Sequence, residues 1–214
     1  MYVGRIVAIG RNTNGQNAAL YRVSSRSFPN RRAVELNGHL AIVPRPGHEA
    51  DLQKSPYISY NCVRLVRAPG GELAVATNGS HTDPIAEKIE IGMPTRDALA
   101  SVLLALDYEK DAYQTPRIAA VAPLQGDTGW LGVVRHDGLQ IEELPLEAGR
   151  AFYLATYETH SIRRDQAFDF DAATAEEAAQ TVVQGAGFAD LEKPVTSAAA
   201  VAAGSRFELA TLRV

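Results

Sequence analysis

The amino-acid sequence predicts a layered α/β (α+β) protein in which two packed, mostly antiparallel β-sheets carry helices on their outer faces. Three observations lead there. Short runs with strand character come in two batches, each batch is followed by a helical pattern, and turn residues rather than long crossovers separate neighbouring strands. Strand order is not readable from this pattern.

Residues 2–9 and 18–24 read as the first strands. Gly10-Arg11-Asn12 closes one, and the turn-rich Ser27-Phe28-Pro29-Asn30 follows the other. Residues 40–44, 58–66 and 73–77 continue the series, with Pro69-Gly70-Gly71 as the hairpin turn between the last two. Helical patterns cover 82–91 and then the stretch from Thr95. That residue is placed to cap a helix with Asp97 in its first turn and Ala98, Leu99, Val102, Leu103 and Leu106 as its apolar stripe. Strands resume at 117–122, 130–135, 139–144 and 152–157, and His136-Asp137-Gly138 supplies a turn between two of them. Thr174 and Glu177 form a capping box that opens a helix reaching to about Gly185. Residues 196–203 and 206–213 complete the sheets.

A length of 214 residues fits one domain, 1–214, able to bury its own core. No apolar run is long enough to cross a bilayer, and the opening Met1-Tyr2-Val3-Gly4-Arg5-Ile6 lacks the pattern of a secretory signal. Cys62 is the sole cysteine and cannot form an internal disulfide, which suits a cytoplasmic protein. The five histidines show no metal-ligand spacing, so no metal site is expected.

The net charge of −4 hides a polarity along the chain. The first 34 residues hold six arginines (Arg5, Arg11, Arg22, Arg26, Arg31, Arg32) and no lysine, aspartate or glutamate, leaving 15 bases against 25 acids in the rest. Guanidinium groups offer planar forks of donors suited to phosphate, although a solvated basic face is the plain alternative. The acidic overall balance speaks against nucleic acid as a partner.

Four segments carry more polar groups than folding requires. In the first, period-2 alternation puts Arg22, Ser24 and Arg26 on one side of an extended strand, a cradle for phosphate or an exposed polar face. In the second, Tyr60 and Asn61 interrupt an apolar strand, as ligand contacts or satisfied core groups. The third, Asn78-Gly79-Ser80-His81-Thr82-Asp83, joins strand to helix and can offer backbone N–H groups or merely a cap. The fourth, Asp107-Tyr108-Glu109-Lys110-Asp111, follows the long apolar helix. Acids there face the negative end of the helix dipole, which favours a retained proton and general acid–base work, or else form a solvated helix end.

Taken with Gly10-Arg11-Asn12, Tyr21 through Asn30, Tyr57 to Asn61, Thr115-Pro116-Arg117 and the Pro194-Val195-Thr196 tail, these segments resemble the archaeal-type IMP cyclohydrolase family over nearly the whole length. The resemblance implies a four-layer αββα sandwich similar to N-terminal-nucleophile hydrolases. The chain starts Met1-Tyr2, so the fold would be kept without a terminal nucleophile. It also implies closure of 5-formamidoimidazole-4-carboxamide ribonucleotide (FAICAR) to IMP without metal or organic cofactor, in a homo-oligomer.

On this resemblance Arg22, Ser24 and Arg26, with Arg11 and Asn30, would hold the ribose phosphate. Tyr60 and Asn61 would meet the base and orient the carboxamide, Asn78, Gly79 and Ser80 would line the pocket, Glu109 assisted by Asp107 would accept the proton, and Lys110 would polarise the formyl oxygen or order the acid pair. Other readings stay open: a self-processing amidohydrolase cut before Thr128, a purine-nucleotide sensor without turnover, or an RNA-binding protein of steep salt dependence.

Overall fold

A computed structural model describes residues 1–214, the side chain of Pro56 excepted. The chain runs β1 (Arg5–Arg11), β2 (Asn17–Ser24), β3 (Arg31–Leu36), β4 (His39–Pro44), α1 (Asp51–Lys54), β5 (Tyr60–Ala68), β6 (Gly71–Thr77), α2 (Thr82–Glu90), α3 (Thr95–Leu106), β7 (Arg117–Pro123), β8 (Thr128–Arg135), β9 (Gly138–Pro145), β10 (Arg150–Ala155), β11 (Ala167–Asp169), α4 (Ala175–Gln184), β12 (Pro194–Ala203) and β13 (Arg206–Arg213). One sheet has the order β11-β10-β1-β2-β12-β13 and the other β3-β4-β5-β6-β7-β8-β9, with antiparallel pairing between all neighbours. Three elements lie outside the sequence expectation: β3, β11 and α1.

Alternation along each strand sorts the side chains into four layers. Val7, Ile9, Tyr21 and Val23 of the six-stranded sheet meet Leu40, Ile42, Cys62, Ile118 and Ala120 of the seven-stranded sheet in the central core. On the far side of the six-stranded sheet, Ala8, Ala18, Leu20 and Ala199 pack against Ala175, Ala178, Ala179 and Val182 of α4. On the far side of the other, Val75, Ala119 and Val121 pack against Ile85, Ile89, Leu99 and Val102 of α2 and α3. The result is the expected helix–sheet–sheet–helix stack.

Local chemistry explains how the helices start. The Thr174 hydroxyl accepts from the Glu177 N–H at 3.2 Å while the Glu177 carboxylate accepts from the Thr174 N–H at 3.3 Å, completing the capping box of α4. Thr95 does not cap α3. It is the first helical residue, Pro94 occupies the cap position, and Leu106 is substantially exposed rather than part of the buried stripe.

Parity on β1 and β2 decides which arginine faces what. Val7 and Ile9 point between the sheets, so Arg5, two residues earlier, lies on that same side. Tyr21 and Val23 also point inward, which leaves Arg22 on the face covered by α4.

Candidate active site

Gly4 brings the start of β1 against the end of β10. Its φ is +71°, and a Cβ there would lie 2.1 Å from the Thr156 hydroxyl and 2.8 Å from the Tyr157 ring, so only glycine fits. The Arg5 N–H donates to that hydroxyl at 3.0 Å, which sets Arg5 beside Tyr157. Both residues line a cavity of about 520 Å³, a size suited to a small-molecule ligand. Its walls come from the start of β1, the loop after β2 (Ser25, Arg26, Ser27, Phe28), the start of β3 (Arg31), Tyr57 and Ile58, the loop after α3 (Glu109, Asp111, Tyr113) and the chain just past β10.

One wall is an ion cluster. Arg5 Nη2 donates to Glu109 at 3.4 and 3.3 Å, and Arg117 Nη1 lies 3.8 Å from Glu109 Oε1. These three side chains are each less than a fifth exposed. Burial opposes the Arg5 charge, but the Glu109 carboxylate beside it holds its pKa above the ordinary arginine range. Arg5 Nε is buried and unbonded among the described residues, a donor without a partner beside the cavity.

The loop presenting Glu109 is held from beneath. Asp111 accepts from the Thr115 N–H at 2.9 Å and from the Thr115 hydroxyl at 2.7 Å. That hydroxyl has one proton and spends it on the carboxylate, so Tyr157 must be the donor in their 2.8 Å contact. Asn78 ties the ends of β6 and β7 by donating to the Pro116 carbonyl at 2.9 Å and accepting from the Ile118 N–H at 2.8 Å. Arg117 Nε donates to the Asp107 carbonyl at 2.8 Å.

A second wall is basic and hydroxyl-rich. Arg31 is almost wholly buried and donates through Nε to the Phe28 carbonyl at 3.0 Å, while its terminal nitrogens make no hydrogen bond among the described residues. Arg26 is exposed, pairs with Glu192 at 3.0 Å and lies 4.2 Å over the Tyr2 ring. Ser25 and Ser27 stand beside them.

Of the residues singled out from sequence, Arg26 and Glu109 line this cavity. Arg22 and Ser24 do not. Arg22 is fully buried under α4, where its guanidinium donates to Ser24 and to the carbonyls of Val182, Phe188 and Leu191 at 2.9–3.1 Å. Burial pulls its pKa down to about 10, so it stays charged at neutral pH with its donors committed. The three residues do not share a face, because the strand ends at Ser24 and Arg26 turns away beyond it.

Arg11 lies six residues along β1 from Arg5, about 20 Å at the usual strand rise, and binds Asn17, Asp127 and the Gly126 carbonyl. Asn61 points out to Asp83 of α2 at 2.8 Å, Ser80 is exposed, and Asn30 accepts from the Arg45 N–H through its carbonyl. None of these four is in the cavity wall.

Tyr60 is buried with its hydroxyl 2.6 Å from that of Tyr21, and burial, opposed by Arg31 and Arg5, keeps it a phenol. Asp107 and Lys110 form an exposed ion pair away from the wall. The expected retained proton is corrected for Asp107: the bond from Lys110 and the Tyr108 N–H hold its carboxyl below the ordinary range. Cys62 is buried and its thiol pushed up by desolvation, so it is no nucleophile.

Arg5, Arg31, Tyr157 and Asp111 were not singled out by role. Arg5 and Arg31 stood among the six early arginines, and parity ties Arg5 to Val7 and Ile9 without saying which side meets the other sheet, since β1 is buried on both faces. Tyr157 carries no local signal, because its place depends on β10 pairing with β1.

A family model described as IMP cyclohydrolase-like protein matches residues 2–206. An IMP cyclohydrolase of Methanocella arvoryzae is 50% identical over 210 residues, covering 98% of this chain and 96% of its own. One from Methanococcus maripaludis is 48% identical over 213 residues, 99% of this chain and 100% of its own. One from Methanocaldococcus jannaschii is 41% identical over 212 residues, 99% and 98% respectively.

Proposed function

Because the chain belongs to the IMP cyclohydrolase family and so closes FAICAR to IMP with loss of water, we propose that the cavity walled by Arg5, Glu109, Arg26 and Arg31 is where the ring forms. The reaction joins the carboxamide nitrogen to the formyl carbon and expels the formyl oxygen as water. The two hydrogens of that water come from the carboxamide nitrogen and the formamido nitrogen. The protein must hold two groups already tethered to one ring in contact, take and return a proton, and stabilise a transient oxyanion.

In this reading Arg26 and Arg31, with Ser25 and Ser27, take the phosphate. Glu109 accepts the carboxamide proton and delivers it to the departing oxygen. Arg5 supplies positive charge to the oxyanion. The carrying observation is the Arg5–Glu109–Arg117 cluster, buried enough for its charges to act strongly and set in the cavity wall. The whole chain acts as one domain, in the cytoplasm, on these nucleotides rather than on nucleic acid or membrane. It assembles as a homo-oligomer, a reading supported by the exposed Ile91, Leu104 and Leu106 around α2 and α3.

An absorbance assay for IMP formation tests the site. Glu109→Gln should lower kcat by about 10²–10⁴ while leaving nucleotide affinity near the parent. Equal losses in both would make Glu109 a structural residue.

A further inference from the structure

Behind Glu109 lies a histidine that the proposed reaction does not yet use. His81 is fully buried just before α2, with Nε2 3.0 Å from the Ile118 carbonyl. A carbonyl can only accept, so Nε2 carries the hydrogen and Nδ1 presents a bare lone pair. No donor reaches Nδ1 among the described residues. Protonation does not fill the gap, because burial, then Arg117 and Arg5, hold the imidazole pKa down to about 3 against the pull of the Ile118 carbonyl. The ring is a neutral acceptor.

What this lone pair faces is visible at Gly79. A Cβ on Gly79 would stand 3.3 Å from His81 Nδ1, 3.2 Å from Arg117 Nη1 and 3.6 Å from Glu109 Oε1. Three polar atoms therefore close around a recess that exists because residue 79 has no side chain. Two of them, Nδ1 and the carboxylate oxygen, only accept. The donor between them has to be Arg117, whose Nε is already committed to the Asp107 carbonyl.

We propose that His81 is a positioning residue of the ring-closing reaction: its Nδ1, unbonded in the resting geometry, takes an N–H of Arg117 through a small shift of that side chain across the Gly79 recess, and so fixes how that guanidinium meets Glu109. The inference rests on Glu109 being the proton acceptor. Neutral imidazole suits this task, since it draws Arg117 without competing for the carboxylate.

Two replacements separate the ring nitrogens. Asparagine sets an amide oxygen near the Nδ1 position and gives up the Ile118 bond. Glutamine carries an amide nitrogen near Nε2 and gives up the Nδ1 acceptor. With kcat, KM and melting temperature measured for each, His81→Gln should lower kcat about tenfold or more with KM within about twofold, and His81→Asn should restore kcat to within about threefold of the parent. Gly79→Ala, which leaves the imidazole in place but sets a methyl 3.2–3.3 Å from both Nδ1 and Arg117 Nη1 and so parts them, should lower kcat about as much with KM within about twofold. A purely structural histidine would move melting temperature instead of splitting kcat from KM.

Parental kcat in His81→Gln, or equal loss in both His81 variants, overturns the inference. If neither variant folds, parental kcat in Gly79→Ala does the same. Glu109→Gln in the same assay tells the failures apart. Undiminished kcat there removes the proton acceptor and the inference with it, whereas a loss there beside parental His81→Gln removes only the inference.

Discussion

Arg5 and Arg22 sit on neighbouring strands, one residue off from facing each other across the β1–β2 pairing, yet they lead opposite lives. Arg22 points into the layer under α4, where carbonyls and one hydroxyl take its hydrogens and no acid approaches. Arg5 points between the sheets, shares a carboxylate with Arg117, keeps one donor unbonded and borders a cavity. A buried cation with every guanidinium nitrogen bonded to a neutral acceptor acts as a staple. One with a charged partner in a cavity wall has something left to offer a substrate.

The contrast can be broken most severely at Arg22. Arg22→Met would orphan three buried carbonyls, for a loss of about 3–5 kcal/mol in urea unfolding with turnover per folded molecule intact. Arg5→Met should do the reverse, lowering kcat about 10²–10³-fold with a small change in urea midpoint. If Arg22→Met destroyed turnover while staying folded, the division would collapse.

His81 sharpens the comparison, because burial leaves Arg22 charged at about 10 but strips His81 of its proton at about 3. Its folded pKa lies below the ordinary histidine value of about 6.5, so between these two values the unfolded chain binds the extra proton. Stability is full above the upper value and falls as pH drops toward 3, with a slope of up to about 1.4 kcal/mol per pH unit from this residue. Urea unfolding from pH 7 to 4 should show that slope, diminished in His81→Asn. Smaller still, Arg26→Ala should raise KM about tenfold with kcat held, as befits an exposed phosphate contact. Arg11→Ala, at the far end of β1, should leave both within about twofold.

Much of the local structure was legible because it is written locally. The Thr174–Glu177 capping box, the Pro69-Gly70-Gly71 and His136-Asp137-Gly138 turns and the buried stripe of α3 each depend on residues within a few positions. Strand β3 hid because Arg31, Arg32 and Glu35 break alternation on an edge strand, where one side meets solvent. The site was only half legible. Its arginine-rich segment and its acid were both visible, but the alternation read through Arg22, Ser24 and Arg26 holds only for the first two, because the strand ends at Ser24. Which face of the strand looks into the cavity depends on β10 and β12 joining β1 and β2 from more than a hundred residues away, and no short-range pattern encodes that.

The central claim concerns where the nucleotide sits, and a crystal structure with bound IMP tests it most directly. The phosphate should lie against Arg26 and Arg31, with the newly closed ring facing Arg5 and Glu109. IMP seated instead in the groove between β11 and α4, beside Asp171 and Gln180, would contradict it.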